Sequence, residues 1–189
     1  MIEQGGRIRY VHRINADGRI SFVNDDWIAF ATANGYRTSR AYQLGRALID
    51  CIGDEETRHV YARLIERTCA SSRAIRFVFR CDSPHSRRWM RMRMRHLRGS
   101  DEIEFASELL HEEPRATVAL LRPPQASSTS ERVLSMCSWC KSVLAERAWV
   151  EIEQAIIKLG LFSGNGMPRI SHGICPGCKN RLLAGEGTS

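Results

Sequence analysis

Residues 74–110 read AIRFVFRCDSPHSRRWMRMRMRHLRGSDEIEFASELL, and this stretch decides the fold class. Apolar and polar side chains alternate through 74–81, 88–97 and 102–110, which is the period of a strand with one buried face. The two short segments between them, 82–85 and 98–101, contain Pro, Gly, Asp and Ser residues that favour tight turns. The stretch therefore predicts three consecutive antiparallel strands.

Upstream of these strands, the sequence predicts a hairpin followed by helices. Two β-rich runs flank Asp17-Gly18, and a glycine there tolerates the positive φ of a hairpin turn. Asn24 can cap a helix that begins near Trp27, and Asp54 opens a longer helix. Two strands, several helices and three strands predict an α+β fold, with a five-stranded antiparallel sheet and helices on one face.

This ordered set of features resembles the PAS family of sensor domains over residues 6–112. The matching residues are the Asp17-Gly18 turn, the phrase Phe22–Trp27 that leads into a helix, and Leu44-Gly45-Arg46 ahead of Asp50. The resemblance implies a sensing or protein-interaction role. Another α+β domain with the same element order is the alternative.

Composition divides the chain into two domains. Residues 1–113 form the predicted PAS-like domain, and residues 132–189 form a smaller cysteine-rich module. Residues 114–131 are predicted to be a linker, because 123–130 read PPQASSTS.

Arginine supplies most of the positive charge behind the net charge of +7. Five arginines cluster in the second predicted strand, among Met90, Met92 and Met94; they are Arg87, Arg88, Arg91, Arg93 and Arg95. We expect guanidinium groups on one strand face to pair with Glu104 and Glu108 on the neighbouring strand. A nucleic-acid-binding surface is the alternative.

The seven cysteines fall into two groups. Cys51, Cys69 and Cys81 have apolar neighbours and are predicted to be small core residues. The other four form two Cys-x-x-Cys pairs, a pattern more typical of metal binding than of disulfides in a cytosolic protein; they are Cys137, Cys140, Cys175 and Cys178. Because zinc prefers thiolates in a tetrahedron, the pattern predicts a four-cysteine zinc site, with disulfides or free thiols as the alternative.

The spacer between the two pairs, residues 141–174, is longer than the roughly 15–20 residues of common zinc ribbons. Apolar residues recur at helical spacing within 149–159, so we expect the metal to clamp the ends of a helical insert. His172 is a fifth candidate, either as a replacement ligand or as a hydrogen-bonding support. Lys141 and Lys179 directly follow the pairs and would offset thiolate charge.

Over residues 134–183 the chain also resembles a short cysteine module found at the end of many bacterial signalling proteins. The matching parts are Cys137-Ser-Trp-Cys140-Lys141, Trp149 and Ser171-His-Gly-Ile-Cys175-Pro-x-Cys178. The resemblance implies a signalling context and no particular chemistry.

Common catalytic and cofactor motifs are absent from the sequence, among them a phosphate-binding glycine loop, a metalloprotease helix and a covalent-haem motif. We therefore expect no enzyme activity. His59 on the long helix is a candidate haem ligand, with a surface position as the alternative. Five large apolar residues are candidates for a small-molecule pocket or, alternatively, for plain core; they are Trp27, Phe77, Phe79, Met90 and Met92.

These features together predict a non-catalytic regulatory protein that senses a ligand or binds a partner protein or a second copy of itself. No run of about 18 apolar residues and no secretory signal is present, so we expect a cytoplasmic protein without membrane contact. Two alternatives are a redox or metal switch that acts through the cysteine pairs, and a nucleic-acid-binding regulator that uses the arginine-rich strand.

Overall fold

The structure, a computed structural model, describes residues 8–71, 73–122, 129–161 and 167–184, and these residues form two β-sheets. The N-terminal sheet has five strands in the order β2-β1-β5-β4-β3, and all its neighbouring pairs are antiparallel. Its strands are β1 (Arg9–Ile14), β2 (Ile20–Val23), β3 (Ile75–Arg80), β4 (Ser86–His96) and β5 (Ile103–Pro114). The predicted α+β fold with a five-stranded antiparallel sheet is confirmed.

Among the described residues between β2 and β3 there are three α-helices and one 3-10 helix (Ile49–Cys51); the α-helices are α1 (Asp25–Ala33), α2 (Arg40–Gln43) and α3 (Glu55–Ala70). The Asn24 side chain accepts a hydrogen bond from the Trp27 amide at 3.0 Å, which caps α1 as predicted. Asp54 caps α3 in the same way, accepting from the Thr57 amide at 2.7 Å.

The helices pack on one face of the N-terminal sheet. Val60 and Leu64 of α3 are buried against sheet residues that include Phe105 and Met94. This face forms the main hydrophobic core, and the opposite face of the sheet holds most of the arginines of β4.

Alternation along β4 places Met90, Met92 and Met94 in buried positions, with Arg91, Arg93 and Arg95 on the other face. The predicted ion pairs are present: Arg91 pairs with Glu108 at 3.2 Å, and Arg95 pairs with Glu104 at 2.7 Å. Arg88 differs, because it lies an even number of residues before the methionines and its side chain is on their buried face of the sheet. Its guanidinium lies over the Phe30 ring of α1, 5.1 Å from the centroid.

The C-terminal sheet was missed in the sequence, which predicted only a helical insert between the cysteine pairs. Its order is β8-β7-β6-β9, and β6 and β9 are parallel. Trp149 and Val150 lie in a strand, and the helix starts only at Ile152, so the predicted helix 149–159 is wrong at its first turn. The elements are β6 (Thr129–Cys137), β7 (Val143–Ala145), β8 (Ala148–Val150), α4 (Ile152–Leu159), β9 (Met167–Gly173) and α5 (Pro176–Ala184).

A second hydrophobic core joins the C-terminal sheet to the segment that follows β5. Val118 and Leu120, within the predicted linker, are buried against Leu134 and Met136 of β6 and Ile152 of α4. A short 3-10 helix covers Ala119–Leu121. Residues 123–128 of the predicted linker lie outside the described residues.

Cys51 and Cys69 are exposed, so their prediction as core residues is wrong, and Cys81 is half-buried. Thr57, Val60, Leu64 and Thr68 occupy the buried stripe of α3. Cys69 lies one residue beyond the last of these positions, which turns its side chain toward solvent. In the part of the chain that the structure describes, no helix is long and apolar enough to span a bilayer.

Candidate metal centre

The first cysteine pair lies in a tight turn at the end of β6. Lys141 adopts a left-handed conformation with φ 62°, and its amide donates to the Cys137 carbonyl at 3.0 Å. The chain then reverses, and the Cys137 amide donates to the Ser142 carbonyl at 2.8 Å. This turn aims the two sulfur atoms of Cys137 and Cys140 to the same side.

The second pair lies where β9 passes into α5. Pro176 is the first residue of that helix, a position where the missing amide hydrogen costs nothing. The Cys178 amide donates to the Cys175 sulfur at 3.4 Å. Cys175 and Cys178 are both buried.

Parallel pairing of β6 with β9 brings the two turns together. Cys137 is in register with Gly173, and the Ser138 amide donates to the Gly173 carbonyl at 2.8 Å. The Cys175 amide donates to the Cys137 sulfur at 3.4 Å, which links one turn to the other. The sheet that the sequence did not predict therefore positions the predicted site.

All four sulfur atoms, those of Cys137, Cys140, Cys175 and Cys178, lie within 4.8 Å of one another. The Cys140 and Cys175 sulfurs are 3.7 Å apart, whereas a disulfide requires about 2.05 Å. Zinc–sulfur bonds of about 2.3 Å in a tetrahedron give sulfur–sulfur edges of about 3.8 Å. The donor set and its spacing thus fit one tetrahedral zinc ion.

Proton sharing within the cluster shows why a cation suits it. Hydrogen bonds from the Cys137 and Cys178 thiols hold the pKa of Cys140 far below its ordinary range. Hydrogen bonding to Cys137 and Cys140, together with burial, raises the pKa of Cys178, and burial raises that of Cys175 to about 11. Without a bound cation the cluster favours a thiolate at Cys140 and protonated thiols at Cys175 and Cys178, whereas a dication stabilises four thiolates.

Basic groups surround the site, and one of them was missed in the sequence. The Arg181 guanidinium donates to the Cys178 sulfur at 3.3 Å, and i, i+3 spacing on α5 explains the contact. Lys141 donates to the Ser138 carbonyl at 3.0 Å, within the first turn. Lys179 pairs with Glu56 of α3 at 3.2 Å, so a carboxylate already balances part of the charge that was expected to offset the thiolates.

His172 is exposed on β9 and is not part of the group of side chains that converges at the site. Its neighbour in register is Met136 of β6, so it precedes the end of the strand where the sulfur atoms meet. The group that could hold a metal consists of the four cysteines.

Trp139 inserts the first cysteine turn into the core of the N-terminal sheet. Its side chain is 4% exposed, and its ring centroid lies 5.3 Å from that of Tyr61 and 6.3 Å from that of Phe77. Its carbonyl accepts a hydrogen bond from the Arg80 amide at the end of β3, at 2.6 Å. The metal candidate site and the helix-facing side of the N-terminal sheet consequently share one core.

Polar contacts join the two sheets at two further places. Arg67 of α3 donates to the Leu182 carbonyl of α5 at 2.9 Å. At the other place a buried carboxylate, Asp82, pairs with Arg80 and with Arg115, the latter at 3.2 Å. Arg80 also pairs with Glu151, just before α4, at 3.2 Å.

The five residues predicted to line a pocket or a core are buried or partly buried on the helix-facing side of the N-terminal sheet. Phe77 and Met92 belong to the main core, Trp27 and Phe79 pack against it, and Met90 is buried. These positions agree with the alternative of ordinary core packing. His59 is exposed on α3, while Val60 beside it takes the inward position, so the structure does not support His59 as a haem ligand.

Comparison with known proteins gives only distant likenesses. No family model matches the sequence, and no curated protein matches it. The chain is similar to the PAS domain of an HTR-like protein from Haloarcula marismortui, at 17% identity over 57% of this chain and 84% of that chain, with a TM-score of 0.35. It is also similar to a light-oxygen-voltage domain studied with a flavin analogue, at 14% identity over 58% of this chain and 81% of that chain, with a TM-score of 0.37. Likenesses this distant add nothing on function.

Proposed function

We propose that this protein is a non-catalytic regulatory protein in which one structural zinc ion, bound by Cys137, Cys140, Cys175 and Cys178, holds the C-terminal sheet and α5 against a PAS-like domain. The observation that supports the proposal is the convergence of the four sulfur atoms within 4.8 Å of one another. Because these cysteines share a core with the N-terminal sheet, metal-binding free energy stabilises both parts.

Elemental analysis of protein purified without added metal tests the zinc site. We expect one zinc ion per chain, and we expect Cys140→Ser and Cys178→Ser to lose it. Cys69→Ser is the matched control, since Cys69 is an exposed free cysteine outside the cluster. Zinc-free protein, or zinc that both cluster variants retain, would refute the site.

We further propose that the PAS-like domain acts through its surface, on a protein partner or a second copy of this chain. The packing of Phe77, Met92 and Trp139 in the core favours surface recognition over an enclosed ligand. Light scattering of the purified chain and affinity capture with the tagged chain test this. A strictly monomeric protein that captures no partner contradicts it, and an absorption spectrum with a haem or flavin band favours an interior ligand instead.

A redox switch is a second candidate, and the accessibility of Cys140 favours it. Cys140 is half-buried, whereas Cys137, Cys175 and Cys178 are buried. Hydrogen peroxide would oxidise two metal-bound thiolates to a disulfide while it is reduced, with two protons, to two water molecules, and zinc would leave. Peroxide treatment should then release zinc and lower the thiol titre together, and unchanged zinc content would exclude this function.

A further inference from the structure

A small cavity opens on the face of the N-terminal sheet opposite the helices. Its volume is about 160 Å³, and its lining includes four arginines with Ala106 and Glu108. The arginines come from three strands: Arg9 from β1, Arg76 from β3, and Arg91 and Arg93 from β4. Ala106 of β5 is in register with Val11 of β1 and with Arg93 of β4. Its side chain is much shorter than the surrounding arginines, and this difference in length creates the depression.

The strand register places two of these arginines directly opposite each other. Arg76 of β3 is the register partner of Arg93 of β4. Like charges at directly opposed positions destabilise a sheet, so this pair needs a compensating negative charge. Burial and the neighbouring charges of Arg95, Arg9 and Arg76 lower the pKa of Arg93, although Glu104 opposes them.

The carboxylates of this face already pair with other arginines, and one of them, Glu108, lines the cavity as the register partner of Arg9. Arg91 pairs with Glu108 at 3.2 Å, and Arg95 pairs with Glu104 at 2.7 Å. Arg93 reaches Glu104 only at 3.5 Å, at the same oxygen that Arg95 contacts. Within the described residues, no carboxylate pairs with Arg9 or Arg76, and both of these side chains are exposed at the cavity.

We propose that this cavity binds a small phosphate-class anion, with Arg9, Arg76 and Arg93 donating hydrogen bonds to its oxygens. Guanidinium forks that approach from three strands suit an anion with several oxygens and more than one charge. The volume of about 160 Å³ is below the roughly 300 Å³ of pockets for drug-sized ligands. A single depression of this volume, bordered by Glu108, suits one small anion better than the row of phosphates of a nucleic-acid backbone.

Calorimetric titration and thermal unfolding of the full chain, with inorganic phosphate against sodium chloride at matched ionic strength, test the proposal. We expect phosphate to raise the melting temperature and to bind saturably. Arg76→Gln should weaken binding about tenfold, because it removes one charge-assisted hydrogen bond to the anion. In chloride alone the same variant should be at least as stable as the wild type, since it removes the Arg76–Arg93 repulsion.

Arg98→Gln is the matched control, because Arg98 is an exposed arginine in the turn between β4 and β5, outside the cavity. It removes the same charge and should leave phosphate affinity within about twofold of wild type. Arg9→Gln is an independent second variant on another strand and should weaken binding as Arg76→Gln does. A nucleoside monophosphate that competes with phosphate would identify an esterified phosphate as an acceptable source and support the proposal.

Phosphate that stabilises the protein no more than chloride overturns the proposal, as does equal weakening by Arg76→Gln and Arg98→Gln. A DNA oligonucleotide that binds in a manner sensitive to Arg76→Gln, yet is not displaced by inorganic phosphate, also overturns it and assigns the surface to nucleic acid. Such binding would weaken steeply with salt.

Discussion

At the residue scale, His12 of β1 shows how one buried ring makes a fold sensitive to acid. It stacks on Phe105, with ring centroids 4.6 Å apart and an interplanar angle of 10°. Its Nε2 atom is buried without a hydrogen-bond partner among the described residues. Burial lowers the pKa of His12 to about 4, so the folded protein holds the neutral ring.

We expect acid to destabilise the protein partly through His12. Below the unfolded-state pKa of about 6.5, His12 is protonated in the unfolded chain. In the folded chain it stays neutral down to about pH 4. As the pH falls through this window, the contribution of His12 to the free energy of unfolding decreases by about 1.4 kcal/mol per pH unit. His12→Phe should reduce the pH dependence of urea unfolding across the window.

His96→Gln is the control, because His96 is exposed at the end of β4. It should retain the wild-type pH dependence. Parallel stability curves for wild type and His12→Phe would contradict the role given to His12.

At the element scale, the ion pairs around Asp82 connect β3, the segment after β5 and the start of α4. The side chain of Asp82 is 0% exposed, and those of its partners Arg80 and Arg115 are 8% and 5% exposed. We expect Asp82→Ala to lower the free energy of unfolding by about 3 kcal/mol, because it removes the buried carboxylate shared by two nearly buried guanidinium groups and leaves them only Glu151 and Glu153. Denaturant titration measures this loss.

Asp25→Ala supplies the comparison for an exposed pair. Asp25 pairs with Arg40, and their side chains are 95% and 51% exposed. The substitution should cost at most about 1 kcal/mol. Similar losses for the two variants would show that the Asp82 pairs do not fix the contact between the sheets.

Trp139 packs the first cysteine turn against the N-terminal sheet through its large buried side chain. We expect Trp139→Ala to cost about 3–5 kcal/mol of stability, because it leaves a cavity between Tyr61 and Phe77. The variant should still bind one zinc ion, since the tryptophan supplies no ligand. Unfolding measured beside zinc content checks both expectations, and unchanged stability would contradict the shared core.

At the scale of the whole molecule, the two sheets pack together as one folded body. Residues of β1, β4, β5 and α3 share a core with Cys137, Cys175 and Leu182 from the other end of the chain. β3 is an edge strand, whose unpaired amides can pair with other chains. Its last amide, that of Arg80, donates a hydrogen bond to the Trp139 carbonyl. Loss of the cysteine turns would uncover apolar surface on the N-terminal sheet.

We therefore expect chelation of the metal to destabilise both sheets together. Hydrogen exchange after treatment with a strong zinc chelator should show lost protection in β3 and α3 as well as in β6 and β9. Restoring zinc should recover both. Loss confined to β6 and β9 would mean that the N-terminal sheet folds independently of the site.

Local sequence signals predicted the N-terminal elements well. Asn24 and Asp54 act as caps because their side chains reach amides three residues ahead, and the methionines of β4 face inward because strand alternation is local. The C-terminal sheet could not be predicted in this way. Its strands β7 and β8 have three residues each, too few to show a period, and β6 pairs with a strand far along the chain.

The amino-acid sequence by itself determined the five-stranded α+β fold and the four sulfur donors, because side-chain period, capping and two-residue spacing act over short distances. Zinc occupancy stays a prediction. Only the tertiary structure decided that parallel pairing joins the two cysteine turns, that Trp139 enters the sheet core, and that Arg76 faces Arg93. These contacts unite residues distant in the chain, and burial and strand register, which no local pattern contains, determine them.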